Sequence, residues 1–449
     1  GLYMRIGIGI FSFGSLLHHV LILIEHVDIS LKCNNHLVIC EKLLFVIFNF
    51  IQFFFIFKNS NIIIHNYRSL AYFGVMHVTI TNICSWFHAI ITETKLEITS
   101  HDSETLLETN HSTLFSKLFQ SKDTNITNPS ILCNHPNYGS ELITKTEYSL
   151  APYLFPFTVE YTLMSFTLFL IIWQNLGRKL SSKTTNHEHH NDNASTVITD
   201  DGINKNCHKH HGDDEHEHVF NVNCQKSIRG LFTGFLILAG TIMTIITYFI
   251  YKNVDKQSEI FDSYLSVMMS KCSQLVLNCL MFGVIILGYI HTRQLKIRWH
   301  TTIVFDEVLV IFSSLGTYLF AIFSLLSAAF SNHIQVLELL TLIVSILQII
   351  ECTLQTLFIL DGLRRRANTH KAKREKPGRE FVALLIVLNI SLWLLDTFIS
   401  KKMETNQIQV QFYDKITWAI IHTLAAPLSM FYKFHSSVCL SDMWQAIYA

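Results

Sequence analysis

Apolar side chains fill long, unbroken stretches of this chain instead of alternating with polar ones. Ten such runs approach the roughly 20 residues that a helix needs to cross a hydrocarbon core. Because a barrel strand would alternate over about ten residues, the continuous runs predict transmembrane helices. The predicted spans are Ile6–Ile24, Leu43–Phe57, Ser69–Ile91, Ser149–Leu176, Gly230–Tyr251, Cys272–Ile290, Val308–Phe330, Ile334–Leu360, Phe381–Ile399 and Ile416–Phe434.

The composition agrees with a chain that lies mostly in a bilayer. Hydrophobic residues make up 50% of the sequence and charged residues 15%, whereas soluble domains carry roughly 25% charged residues. The formal net charge of +0 leaves no basic excess to bind a phosphate backbone, so nucleic acid is not an expected partner. We therefore expect an all-α membrane protein, with no enzymatic activity and no cofactor.

Basic residues in the short connections predict the orientation. The connections 58–68, 291–302 and 361–380 together hold 13 Lys and Arg, and those on the opposite side hold 7. Since basic residues stay on the cytoplasmic side, residue 1 is predicted to lie in the cytoplasm. The loop 92–148 then lies outside, where two glycosylation sequons are expected, beginning at Asn110 and Asn125.

A polar segment separates the fourth and fifth spans. Residues 178–229 are rich in His, Asn and Asp, which predicts a cytoplasmic linker with too little apolar surface to fold. Clustered histidines can hold a divalent metal loosely, but these lack the fixed spacing of a structural zinc site, so we favour a solvated linker. The weak metal candidates are His208, His210, His211, His216 and His218.

Short polar signatures recur in the same order in two parts of the chain. The third span carries Asn-Ile-Cys-Ser-Trp from Asn82, and the ninth carries Asn-Ile-Ser-Leu-Trp from Asn389. Gln52 and Gln355 begin similar stretches in the spans before them. The offset of six spans is even, so the two halves are predicted to be parallel repeats.

The repeat also predicts a span count. Spans one to four pair with seven to ten, which aligns Glu160 with His422 and leaves spans five and six without partners. We therefore expect ten helices of a twelve-helix architecture, although a ten-span protein is the alternative. The expected parts are an incomplete first half at 1–177, the linker at 178–229 and a six-helix second half at 230–449.

Few polar side chains lie inside the predicted spans, where a charge costs about 2.5–3.5 kcal/mol. For Glu160 and Glu351 this cost favours a functional role. His77 and His422 could change charge near physiological pH, whereas His435 is expected to be solvated. Four amides fit either a proton pathway or simple helix–helix bonding: Gln52, Asn82, Gln355 and Asn389.

At these residues the chain resembles the otopetrins, a family of proton-selective channels, and it looks more like the invertebrate members. One departure is Lys433, which stands where Arg is usual. The similarity covers all ten predicted spans, and the C-terminal stretch is the most specific. The matching stretches run from Phe73 to His77, from Tyr153 to Tyr161, from Trp173 to Gly177 and from Pro427 to Ser437.

The resemblance implies a twelve-helix protomer with two six-helix, barrel-like halves. It implies a homodimer in the plasma membrane, in contact with lipid or sterol, that carries protons inward when the outside is acidic and is blocked by external zinc. By matching position, Glu160 and His422 would be polar barrel residues, and Glu351 and the four amides would lie around the barrels. The alternatives are a secondary transporter and, from the His-rich linker, a metal transporter or sensor.

Overall fold

Long helices account for most of the chain that the structure describes. A computed structural model describes residues 2–33, 36–59, 68–109, 141–176, 228–254, 261–297, 305–331, 335–367, 369–400 and 403–448. The long helices are α1 (Leu2–Cys33), α2 (His36–Asn59), α3 (Arg68–Thr109), α4 (Glu141–Asn175), α5 (Ile228–Val254), α6 (Phe261–Thr292), α7 (Phe305–Ala329), α8 (Val336–Gly362), α10 (Arg379–Leu395) and α12 (Lys415–Tyr448).

Short elements close the connections of the second half. A two-residue antiparallel ladder joins β1 (Lys296–Ile297) to β2 (Arg365–Arg366), and α9 (His370–Glu375) follows it. Arg365 holds this predicted cytoplasmic end together, because its guanidinium binds both Asp361 carboxylate oxygens and donates to the Leu295 carbonyl at 3.0 Å. At the opposite end, α10 continues as a π-helical turn (Asp396–Ser400), a 3₁₀ turn (Met403–Asn406) and α11 (Gln407–Tyr413).

The structure confirms an all-α membrane protein and nine of the predicted spans. Nine helices of the described residues are long and apolar enough to cross a membrane. The second is longer than predicted, since its apolar part runs over His36–Lys58. The tenth predicted span lies in α12, which is absent from the nine because it carries many buried polar side chains. The full span count remains a prediction.

Two polar regions fall largely outside the described residues. Most of the linker 178–229, with its five candidate metal-binding histidines, is not described, and neither are the sequons at Asn110 and Asn125. The loop predicted over 92–148 is shorter than expected, because α3 continues to Thr109 and α4 begins at Glu141.

The two halves pack their helices in the same pattern. In the first half α1 contacts α2 and α4, and α3 contacts α4. In the second half α7 contacts α8 and α12, and α10 contacts α12. These contacts pair α1, α2, α3 and α4 with α7, α8, α10 and α12, which is the order that the sequence repeat predicts.

The second half has two additional helices that cover its core. Helix α5 packs on α10, and α6 packs on α8 and α10. As a result 78% of the most apolar part of α10 is buried, against 33% for its counterpart α3. Within the described residues, the face of α3 that corresponds to the covered face of α10 is therefore more exposed.

Aromatic side chains join the two halves. Phe11 of α1 lies 5.5 Å from Trp393 of α10 and 4.7 Å from Phe434 of α12, measured between ring centroids. Both contacts are edge-to-face, a geometry that adds about 0.5–1.5 kcal/mol to the burial of the rings. One hydrophobic core therefore runs from the first half into α10 and α12.

Candidate functional site

Each half contains one pair of buried side-chain amides that bond reciprocally. Gln52 Nε2 donates to Asn82 Oδ1 at 2.9 Å, and Asn82 Nδ2 donates back to Gln52 Oε1 at 3.1 Å. In the second half Gln355 Nε2 donates to Asn389 Oδ1 at 2.9 Å, and Asn389 Nδ2 donates back at 3.0 Å. The residues that the sequence repeat aligned therefore make the same contact in both halves.

The asparagine of each pair is oriented by its own helix. Asn82 Nδ2 donates to the Val78 carbonyl at 2.9 Å, and Asn389 Nδ2 donates to the Leu385 carbonyl at 2.9 Å. Both carbonyls lie one helical turn before the asparagine, so one of the two Nδ2 hydrogens bonds within its own helix. The remaining hydrogen and the oxygen then point at the glutamine on the neighbouring helix.

A buried tyrosine lies beside each amide pair and bonds to the backbone of the helix that carries the glutamine. Tyr161 of α4 donates its hydroxyl to the Asn49 carbonyl at 3.0 Å, and Tyr432 of α12 donates to the Cys352 carbonyl at 3.0 Å. Both carbonyls lie three residues before the glutamine of the pair. Sequence reasoning did not single out these tyrosines, although the shared pattern Pro-x-Thr/Ser-x-x-Tyr, beginning at Pro156 and Pro427, could have revealed them.

This register corrects the predicted alignment of Glu160 with His422. If Tyr161 corresponds to Tyr432, the counterpart of Glu160 is Phe431, and His422 lies about two and a half helical turns away from that level. Glu160 is 1% exposed within α4, whereas His422 packs between Phe320 and Trp418, each 5.9 Å away between ring centroids. Glu160 and His422 therefore do not occupy equivalent positions in the two halves.

Two other predicted histidines lie apart from the amides. His77 is on an exposed face of α3, where its ring stacks on Phe73 at 6.4 Å, so the structure does not bring it to the site. The expectation that His435 is solvated is wrong. His435 is buried in α12, and its Nε2 lies 4.0 Å from Asp306 Oδ1.

A cluster of buried charges lies beside the second amide pair. Lys433 contacts the Asp396 carboxylate, whose other oxygen accepts from Gln274 Nε2 at 3.1 Å. Glu351, one turn before the amide-pair glutamine on α8, is buried within electrostatic range of both charges, and Lys271 of α6 acts on Asp396. Opposite charges compensate one another here, as buried ions require. Sequence reasoning missed Lys271 and Gln274.

A small polar cavity adjoins this cluster. It has a volume of about 20 Å³, which is enough for one water molecule because such a site needs about 10–15 Å³. It lies on the side of the amide pair that is predicted to face outward, and it brings His422 close to the Asp396 cluster. Its polar lining residues are Gln274, Gln348, Asp396, Ser400, His422 and Ser429.

No metal site is visible in the part of the chain that the structure describes. No group of three or more His, Cys, Asp or Glu side chains in that part is placed to hold a metal ion. The histidines that were considered as metal ligands lie in the undescribed linker, so the metal hypothesis gains no support from the geometry.

Long apolar helices around buried polar side chains define a multi-pass membrane protein of the transport class. The sequence model of the otopetrin family matches residues 3–434, and the chain belongs to that family. It is 28% identical to proton channel OtopLc of Drosophila melanogaster over 99% of this chain and 28% of that protein. It is 22% identical to proton channel OTOP2 of Homo sapiens, over 92% and 76% of the respective chains.

A third relative gives the same result. Proton channel OTOP1 of Danio rerio is 21% identical over 88% of this chain and 70% of its own length. The chain spans less than a third of the Drosophila relative and about three quarters of the vertebrate ones. All three relatives are named proton channels.

Proposed function

We propose that this protein is a proton-selective channel of the plasma membrane that conducts in response to external acid. The observation that carries the proposal is the Gln–Asn–Tyr arrangement, which occurs once in each half at the same register. The relatives that share nearly the whole chain are named proton channels, which supports the same activity.

The geometry of the amide pairs favours protons over larger cations. Two reciprocal hydrogen bonds near 3 Å close each pair, so a hydrated metal cation would have to break both bonds and separate two packed helices. A proton needs only an exchange of hydrogen-bond partners among hydroxyls and water beside the pair. Buried carboxylates, histidines and tyrosines within the spans supply such partners.

The described spans give less support to a secondary transporter. Transporters of that kind hold their substrate at helices that break near mid-membrane. Eight of the nine candidate spans in the described residues are single α-helices, and the ninth, Arg379–Ser400, changes to a π-helical turn only at its end. Coupled uptake of a second solute would be the result that favours the transporter.

Acid-evoked current in cells expressing the protein is the direct test. We expect an inward current when the external solution is acidified, with a reversal potential that follows the proton gradient. Replacing external Na⁺ by a large organic cation should leave this potential unchanged. A reversal potential that is indifferent to pH would contradict the proposal.

We also propose a homodimer whose outer faces contact lipid or sterol. Helix α5 supports this, because Phe232, Phe235 and Met243 are all exposed along it. Such faces need hydrocarbon or another protein surface to cover them. Cross-linking in intact membranes should give a species of twice the monomer mass, and recovery of monomer alone would contradict the dimer.

A further inference from the structure

Helix α1 carries a file of buried polar side chains toward the first amide pair. Ser12, Ser15 and His18 lie on one side of the helix, and each is no more than 2% exposed. Ser12 is close enough to the Tyr161 hydroxyl to interact with it, and so is Gln52 of the amide pair. With α1 running outward as predicted, His18 marks the outer end of this file and Tyr161 its inner end.

Several polar atoms along this file have no hydrogen-bond partner among the described residues. Buried polar groups in proteins are almost always bonded to protein or to ordered water, so a group of such atoms in one place indicates internal hydration. The atoms are Oγ of Ser15, Nε2 of His18 and His19 and Nδ2 of Asn49.

A histidine and a phenylalanine pack across the first and last helices of each half, with the helices exchanged. In the first half His18 of α1 packs edge-on against Phe155 of α4, with centroids 4.5 Å apart. In the second half the histidine is His422 of α12, and Phe320 of α7 faces it at 5.9 Å. By the shared pattern Ser-x-Gly-Ser/Thr, His18 aligns with Phe320. The Tyr161–Tyr432 register aligns Phe155 with Ala426, so His422 lies about one helical turn from the exact counterpart of Phe155.

We propose that His18 is the proton-carrying residue of the first half, at the outer end of a hydrated file through Ser15 and Ser12 to Tyr161. The inference rests on the proposed channel function and assigns residues to one of its routes. His18 Nδ1 lies 3.0 Å from Thr158 Oγ1. When Nδ1 donates in this bond, Nε2 presents its lone pair to the file.

The transfer step conserves atoms and charge. Nε2 of the neutral ring accepts a proton from a hydronium ion on the outer side, which leaves a neutral water, and the imidazolium then gives the Nε2 proton to the next water in the file, which becomes hydronium. One proton moves inward, the ring returns to its neutral form, and no bond between heavy atoms changes. Histidine suits this step because an imidazole nitrogen can both accept and donate a proton.

The immediate surroundings of His18 provide a polar partner without a counter-charge. The His19 ring lies 5.4 Å from the His18 ring, and the partner of His18 on α4, Thr158, is a neutral hydroxyl. A neutral partner orients the ring without trapping a proton on it in a stable ion pair.

Two variants separate proton transfer from a structural role. His18→Asn keeps a hydrogen-bonding group near the position of Nδ1 but cannot carry a proton, whereas Thr158→Val removes the bond and keeps the ring. At equal surface expression, we expect H18N to lower the acid-evoked current at least fivefold and to flatten its dependence on external pH. T158V should cause a clearly smaller loss and keep the pH dependence.

Equal losses in both variants, or an unchanged current in H18N, would overturn the inference while leaving the channel function intact. A lack of acid-evoked current in the unsubstituted protein would instead overturn the proposed function and this route with it. The two failures are therefore distinguishable.

A second substitution tests the file if H18N does not reach the cell surface. Ser15→Ala removes a hydroxyl from the middle of the file without adding bulk. Its matched control is Ser324→Ala on α7, whose hydroxyl is also buried without a partner among the described residues but lies outside the file. We expect S15A to lower the current at least threefold and S324A to leave it unchanged. Equal currents in both would overturn the file.

Discussion

At the scale of single residues, the amide pairs separate two explanations that the sequence left open. Reciprocal bonds satisfy every amide group that faces the neighbouring helix, so helix–helix bonding explains the geometry by itself. A role in conduction requires in addition that removing the amides stops the current while the fold survives. Stability and current therefore have to be measured on the same variants.

Replacing both members of a pair by leucine tests this difference. Asn389→Leu alone leaves the Gln355 amide buried without its partner, which should lower the free energy of unfolding by about 1–3 kcal/mol. The double variant Gln355→Leu with Asn389→Leu removes both polar groups and should recover most of that loss. Thermal unfolding in detergent measures both effects.

Current in the same double variants reports the pathway. If the second half conducts through its amide pair, the Gln355/Asn389 double variant should carry less acid-evoked current than the unsubstituted protein, although its stability is recovered. The matched Gln52→Leu with Asn82→Leu variant tests the first half. Full current in both double variants would leave the amides with a purely structural role.

The buried ion pair of Lys433 and Asp396 gives a second residue-scale prediction. Lys433→Met leaves the carboxylate buried without its counter-charge and should destabilise the protein by about 3–5 kcal/mol, measured as the unfolding midpoint in detergent. Lys433→Arg keeps the charge and should stay close to the parent protein. Adding Asp396→Asn to K433M should restore part of the loss, and no recovery would argue against charge pairing as the cause.

At the scale of helices, small residues permit the close contact of the first and last helix of each half. A Cβ at Gly14 of α1 would collide with the Phe157 side chain, and one at Gly316 of α7 would collide with Leu428 and the Ser429 backbone. By the repeat register, Phe157 and Leu428 both follow the helix proline directly. The two halves therefore use glycine at the same crossing.

Alanine substitutions test this crossing. Gly316→Ala should lower the free energy of unfolding by about 1–3 kcal/mol, because the added carbon overpacks the contact. The control Gly9→Ala lies on α1, where a Cβ meets open space, and it should be neutral or stabilising by up to about 1 kcal/mol. Unfolding midpoints of the two proteins provide the comparison, and equal values would contradict the tight crossing.

Sequence reasoning predicted the helices better than their contacts. Runs of apolar residues located nine spans, because length and hydropathy are local properties of the chain. The matched Gln and Asn residues were found because they recur in order. Tyr161, Tyr432 and the His18 file were missed because a buried tyrosine or serine resembles any other helix residue until the opposing carbonyl is known. The misalignment of Glu160 with His422 arose in the same way.

At the scale of the whole molecule, aromatic packing is one of the contacts that join the two halves. Phe11 meets Trp393 and Phe434 across them, α3 packs on α12, and the linker between the halves is polar. We therefore propose that residues 1–177 and 230–449 act as two structural units, as the sequence repeat predicts, and that their contact is stable without a covalent connection.

Co-expression of the two fragments tests this proposal. A tagged 1–177 fragment should recover the 230–449 fragment from detergent-solubilised membranes, because the aromatic interface and the neighbouring core remain available. Phe11→Ala should lower that recovery severalfold. Phe13→Ala on the same helix is the matched control, since that ring is exposed, and it should leave recovery unchanged. Equal recovery with both variants would contradict the assigned interface.

The polar character of α12 has a consequence for how the protein is made. This helix carries Lys433, His422 and His435 among its buried residues, and a lysine at mid-helix costs about 2.5–3.5 kcal/mol when a segment enters the bilayer alone. Its counter-charge Asp396 belongs to the preceding long helix, and its packing partner α7 is synthesised earlier still. Helix α12 therefore depends for its insertion on helices that are already in the bilayer.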